Sequence, residues 1–252
     1  MASDTSLTGA TEAPPLDPSR DALFLDVDGT LLDIAARPGD VAVEEGLPAV
    51  LERLSARLGG ALALITGRDI ATIDGLFASA RFAMAGVHGA ELRLPDGRTR
   101  HQPPHPALDG IKAGLAEWVA ARPGLLLEDK ERAVAVHYRG QPQAAGEVEA
   151  HLRALAAAAG PELTVQPGKM VMEIRPAAAD KGVALGTLMA LPPFRGRRPL
   201  MIGDDLTDEP AFAAAMAAGG RACRVGAADG PTAAEMCFAD PAAVRRWLAA
   251  QA

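Results

Sequence analysis

Short apolar runs that stop abruptly at carboxylates or a hydroxyl, with helical periodicity between them, constrain the fold of this chain more than any other feature. Residues 22–25 run into Asp26-Val27-Asp28-Gly29-Thr30, and residues 61–65 into Thr66. Residues 200–202 run into Gly203-Asp204-Asp205-Leu206-Thr207-Asp208-Glu209. Apolar runs this short, bounded by turn signals, read as buried strands. Between them Leu47, Val50, Leu51, Leu54 and Leu58 fall on one helical face, and Ile70, Ile73 and Phe77 on another. Residues 82–87 read as a further strand. The alternation predicts an α/β fold: a doubly wound parallel sheet with helices on both faces. Ligands of such sheets bind beyond the carboxyl ends of the strands, where the polar motifs stand.

The rhythm changes after Gly89. Pro95-Asp96-Gly97 predicts a hairpin turn, and residues 103–176 then read helix, strand, strand, helix, strand, strand. This is an inserted α+β cap within a core formed by residues 21–102 and 177–252. In residues 169–175, Met170, Met172 and Ile174 alternate with Lys169, Glu173 and Arg175. In residues 133–139, Val134, Val136 and Tyr138 oppose Ala133, Ala135, His137 and Arg139. One sheet face is therefore apolar and packs on the two cap helices. By alternation alone, the other face reads as a solvated surface sooner than as a ligand site. The core then resumes with a helix from Lys181 and strands at 199–202 and 222–225. Residues 236–238 form a possible edge strand. A last helix is capped by Asp240 and opened by Pro241.

The polar motifs supply the groups that phosphoryl transfer needs. Asp26 and Asp28 are two apart in an extended segment and leave the same face. One carboxylate of such a pair can attack phosphorus, and its neighbour can protonate the leaving alcohol and then activate water. A phosphate ester is dianionic, so the attack needs its charge neutralised. Magnesium does this through oxygen ligands, for which Asp26 and Asp204 are the natural donors, with Asp205 or Asp208 in support. Thr66 can hydrogen-bond a phosphoryl oxygen, and Lys181 can neutralise it. Arg68 and His88, beside Gly89, are weaker candidates for substrate contact. A helix-start surface arginine and a polar loop histidine are the bland alternatives.

Composition removes other classes. The net charge is −7 and the pI about 5.3, which argues against nucleic-acid binding. Cys223 and Cys237 lack metal-type spacing and read as reduced thiols. Residues 1–20, with no basic start and no apolar stretch, read as a flexible tail rather than a signal peptide. No run is long enough to span a membrane. The expectation is a cytoplasmic protein and, with no interface stripe in view, a monomer acting on a small molecule.

Asp26-Val27-Asp28-Gly29-Thr30, Thr66, Lys181 and Gly203-Asp204-Asp205 resemble the four signature motifs of the haloacid dehalogenase-like (HAD) phosphatases, whose core is Rossmann-like. Leu206-Thr207-Asp208-Glu209, Gly86-Val87-His88-Gly89, Glu128-Asp129-Lys130, His137-Tyr138-Arg139, Gly168-Lys169 and Glu173-Ile174-Arg175-Pro176 extend the likeness. Together they resemble the trehalose-6-phosphate phosphatase family, from residue 21 to about 250. Thr66 stands where that family often has serine, and the hydroxyl is kept. The resemblance implies Mg2+ held by Asp26, Asp204, Asp205 and the main chain of Asp28. It implies catalysis by Asp26, Asp28, Thr66 and Lys181 through an aspartyl-phosphate. It also implies that Glu128, Lys130 and Glu173 bind hydroxyls of the sugar that carries no phosphate. The alternatives are another phosphatase of the superfamily, such as one for sucrose phosphate, or a non-catalytic phosphosugar sensor.

Overall fold

The computed structural model describes residues 13–35, 40–77, 81–227 and 230–252. It divides into two compact units, Met1–Arg100 with Lys181–Ala252, and His101–Asp180.

In the first unit, β1 (Asp21–Leu25) leads through α1 (Leu47–Arg57) to β2 (Leu62–Ile65), then through α2 (Ile70–Phe77) to β3 (Ala83–Gly86). The hairpin strands β4 (Glu91–Arg93) and β5 (Thr99–His101) complete that edge, turning where Gly97 N donates to Leu94 O. The inserted unit runs α3 (Leu108–Ala120), β6 (Leu126–Asp129), β7 (Val134–His137), α4 (Ala145–Ala159), β8 (Leu163–Gly168) and β9 (Val171–Pro176). The chain then forms α5 (Lys181–Met189), β10 (Arg198–Gly203), α6 (Glu209–Ala217), β11 (Arg221–Val225), β12 (Met236–Phe238) and α7 (Pro241–Gln251).

The larger sheet has the order β12-β11-β10-β1-β2-β3-β4-β5, parallel from β12 to β3. Successive crossovers leave β1 in one direction through β2 and β3. They leave β10 in the other through β11 and β12. The β1–β10 boundary is therefore the switch point at which open sheets of this kind bind ligands. Right-handed crossovers in opposite directions put their helices on opposite faces. In agreement, α1 packs with α7 and α5 with α6. Strand residues such as Leu23, Phe24, Leu64, Leu200 and Ile202 are wholly buried, as a parallel sheet covered on both faces requires. Asp240 Oδ1 accepts the Ala243 N–H, so the expected N-cap of α7 is present.

Residues 13–20, expected as part of a flexible tail, are instead tied to the core: residues 13–16 dock on α7, and Pro18 O and Arg20 O accept from Arg197 Nη1 and Arg198 N. Ala13 and Leu16 are buried, Trp247 Nε1 donates to Ala13 O, and Leu16 N donates to Gln251 Oε1. Two apolar side chains and two satisfied long-range hydrogen bonds outweigh the polar composition. The rest of the expected tail, residues 1–12, lies outside the described residues.

In the inserted unit, β6-β7-β9-β8 form an antiparallel sheet. Val134, Val136, Met172 and Ile174 on one face join Leu108, Ile111, Leu115, Val148 and Leu152 in one core. Met170 does not belong to that face. It is exposed, with φ 62°, in the two-residue turn between Gly168 and Val171. The alternation therefore starts one residue later than the hydrophobic pattern implies. Leu152 is completely buried, and Leu152→Ala is expected to cost about 3 kcal/mol. Calorimetry checks this, and a variant melting within a degree of the parent would remove Leu152 from the core.

Candidate active site

Asp26 continues the β1–β10 pairing, its N–H donating to Ile202 O at 2.9 Å. Its side chain therefore leaves at the switch point. Lys181 opens α5, where a positive charge meets the unfavourable end of the helix dipole. Carboxylates offset this. Lys181 Nζ donates to Asp26 Oδ1 at 2.8 Å and to Asp208 Oδ1 at 2.7 Å, with all three groups buried. Burial works against the ammonium, but Asp208 and Asp26 outweigh it and hold Lys181 above the ordinary lysine range.

Asp208 is the hub of the second acidic motif. Its Oδ2 accepts the N–H groups of Asp204 and Asp205, each at 3.0 Å. A Cβ at Gly203 would lie 2.4 Å from Asp208 Cγ, so only glycine lets that carboxylate fold back under the loop. Gly29 plays the matching part in the first motif. Its φ is 80°, and a Cβ there would lie 2.1 Å from Asp204 Oδ2. Carboxylate oxygens of Asp26, Asp204 and Asp208 all lie within 4.8 Å of one another.

Three carboxylates and one ammonium leave this buried cluster two negative charges in excess, the charge of one divalent cation. The donors are all oxygens, as magnesium prefers. Burial, with Asp208 adding to it and Lys181 opposing, pushes the Asp26 carboxyl well above the ordinary carboxylate range. That is the strain expected of crowded anions, and a cation held between them relieves it. The residues fit a divalent metal.

Thr66 is fully buried after β2. Its Oγ1 accepts the Arg68 N–H at 3.1 Å, which leaves its own proton for a ligand oxygen. The 66–68 loop is stitched to the end of β3: His88 N donates to Thr66 O and Val87 N to Arg68 O, both at 3.0 Å. Val87 and His88 pay for this with φ of 46° and 55°, which costs non-glycine residues about 1–3 kcal/mol each. Gly89 follows at φ 113°. The His88 ring lies over Gly67, where a Cβ would stand 2.8 Å from Nε2.

The other predicted residues are placed differently. Asp28 has both carboxylate oxygens on Arg68, at 2.7 and 2.8 Å. Asp205 caps the turn before α6, its Oδ1 accepting the Leu206 N–H at 2.8 Å. Neither side chain is a member of the acidic cluster. In the inserted unit, Glu128, Ala135 and Glu173 lie in register across β6, β7 and β9. Lys130 Nζ sits 2.5 Å from Glu173 Oε2 and 4.0 Å from Glu128 Oε2. His137 Nε2 lies 2.7 Å from Glu128 Oε2. The polar face thus carries a chain of alternating charge beside the small Ala135.

Three contacts around the site were not legible in the sequence. Asp208 was named only as an alternative to Asp205. The Asp205-x-x-Asp208 spacing of a reciprocal cap is the signal that turns Asp208 back toward the loop. His137 had no role until its pairing with Glu128. Glu91 accepts the Ile70 N–H at the start of α2, a long-range contact with no local signal.

The chain is similar to known proteins over most of its length. The family model described as trehalose-phosphatase matches residues 24–234. A probable trehalose-phosphate phosphatase of Sinorhizobium fredii is 49% identical over 205 residues, 81% of this chain and 77% of the relative. The trehalose-6-phosphate phosphatase of Escherichia coli K12 is 40% identical over 246 residues, 94% of this chain and 88% of the relative. The crystal structure of a trehalose-6-phosphate phosphatase related protein superposes with a TM-score of 0.76 at 27% identity, covering 90% of this chain and 95% of that one.

Proposed function

The chain belongs to the trehalose-phosphatase family, and on that premise we propose that it hydrolyses trehalose 6-phosphate to trehalose and phosphate. The observation that carries the chemistry is the buried cluster of Asp26, Asp204, Asp208 and Lys181 at the switch point of the sheet.

Asp26 attacks phosphorus, forming an aspartyl-phosphate as the bond from phosphorus to the sugar oxygen breaks. Asp28 gives a proton to that departing oxygen. It then takes a proton from the water that adds to phosphorus, and the aspartyl bond breaks to release phosphate and restore Asp26. Lys181 and the Thr66 hydroxyl stabilise the transferring group. Asp26, Asp204 and the main-chain carbonyl of Asp28 would hold magnesium, which would neutralise the phosphoryl charge. Asp208 is better placed than Asp205 to support it, because its carboxylate stands in the acidic cluster with Asp26 and Asp204. Glu128, Lys130 and Glu173 select the sugar, with His137 holding Glu128. Among the described residues no helix is long and apolar enough to cross a membrane, and we place the enzyme in the cytoplasm as a monomer.

Phosphate release from trehalose, sucrose, glucose and mannose 6-phosphates, with Mg2+ and with a chelator, tests the proposal. Mg2+-dependent turnover of trehalose 6-phosphate alone supports it. Turnover of another sugar discards the roles of Glu128, Lys130 and Glu173, and no turnover of any favours a sensor. Glu173→Gln is expected to raise KM for trehalose 6-phosphate roughly tenfold, since it weakens one buried charged contact. It should leave 4-nitrophenyl phosphate hydrolysis unchanged. Equal losses on both substrates would move Glu173 out of the sugar site.

A further inference from the structure

Arg68 holds Asp28 in a two-pronged grip. Its Nε donates to Asp28 Oδ2 at 2.7 Å and its Nη2 to Asp28 Oδ1 at 2.8 Å. The arginine side chain is only 12% exposed, and its backbone is fixed on both sides, by Thr66 Oγ1 at its N–H and by Val87 N at its carbonyl. A Cβ at Gly86 would lie 2.9 Å from that carbonyl oxygen, so the approach of the two loops depends on glycine. The guanidinium is therefore aimed by a rigid frame. Asp28, 35% exposed, is the partner it is aimed at.

This grip has a chemical consequence. The side-on fork covers the edge of the carboxylate between its two oxygens. Asp28 cannot turn that edge to the oxygen of a departing alcohol until one contact opens. A mostly buried guanidinium that gives up one anionic contact needs another. An arriving phosphate ester brings oxygens with the same charge and spacing, which the fork fits equally well.

We propose that Arg68 is a positioning residue with two partners, holding Asp28 in the substrate-free protein and exchanging one of its oxygens for a phosphoryl oxygen when a phosphate ester binds. Substrate arrival and release of the acid–base carboxylate are then one event. The inference rests on the role given to Asp28 above but not on the identity of the sugar.

The test measures kcat/KM with Mg2+ for aryl phosphates graded from phenyl phosphate, whose leaving oxygen needs a proton, to 4-nitrophenyl phosphate, whose leaving oxygen does not. The proteins are wild type, Arg68→Ala, Arg68→Lys, Asp28→Asn and the Arg68→Ala/Asp28→Asn double variant, each shown to be folded by circular dichroism. Positioning through Asp28 predicts that Arg68→Ala loses roughly ten to a hundred times more on phenyl than on nitrophenyl phosphate, a large part of what a general acid contributes. It predicts little further loss on adding Arg68→Ala to Asp28→Asn. Arg68→Lys, which keeps the charge without the fork, should recover the nitrophenyl rate but not the phenyl rate. Equal loss on all esters, multiplying with the Asp28→Asn loss, would overturn the proposal and leave Arg68 a simple phosphate clamp. So would full recovery by lysine. Wild-type failure on every aryl ester would bring down the phosphatase chemistry along with Arg68. Success here beside failure on the sugar panel would discard only trehalose 6-phosphate.

Discussion

If Asp26 is the nucleophile as proposed, Asp26→Asn is expected to abolish phosphate release, with a loss of at least roughly 10³-fold, because an amide cannot form the phosphoenzyme bond. The same change should not weaken the metal-free fold. Burial and the Asp208 charge raise the Asp26 carboxyl above its usual range. A carboxyl whose pKa is raised on folding opposes folding increasingly as pH climbs above its unfolded value. At pH 7 a neutral amide of the same shape removes that opposition while leaving Lys181 on Asp208. The expected result is an inactive protein that melts no lower than its parent without metal. Such a pattern is common where function and stability compete. Phosphosugar binding, measured by calorimetry, separates the rival class. A sensor would bind with unchanged affinity and show no turnover in the parent either. A variant that kept even a tenth of the parent rate would remove Asp26 as nucleophile.

Much of this architecture can be read before any coordinates. The strands that end in Asp26, Thr66 and Gly203 are short, apolar and bounded by turns, and local pattern decides such elements. Lys181 is legible for a related reason, since a lysine opening a helix against the dipole needs an anion nearby. What local pattern does not carry is partner choice. Asp205 and Asp208 share a reciprocal cap that their spacing signals, but that Asp208 also reaches Lys181 on another helix is written in neither segment. Arg68 and Asp28 meet across two loops, and nothing in either segment announces the pair. In the inserted unit, alternation separates Glu173 from Ile174 correctly but cannot see the hairpin turn that takes Met170 off the sheet. The docking of Ala13 and Leu16 on α7 is equally remote in sequence from its cause.

Asp208→Asn is expected to damage both stability and activity, and the argument is one of hydrogen-bond inventory. Asp208 Oδ1 faces the Lys181 ammonium and Oδ2 faces two backbone N–H groups. Both sides therefore demand an acceptor. An asparagine offers one acceptor oxygen and one donor nitrogen. In either orientation its NH2 meets a donor, and the residue is completely buried, so water cannot intervene. Losing one partner of a buried ion pair costs about 3–5 kcal/mol. For a chain of this size that corresponds to a fall in Tm of roughly 6–20 °C. Activity should fall by about 10²-fold or more, because Lys181 loses an anchor and the loop bearing Asp204 loses its support. Asp205→Asn is the control. It keeps an oxygen for the Leu206 N–H and should cost less than about 1 kcal/mol, on the scale of a weakened cap. Thermal melts and kcat at saturating Mg2+ distinguish the two. Equal effects of the two substitutions would mean that the cap, rather than the buried Asp208–Lys181 pair, organises this end of the site.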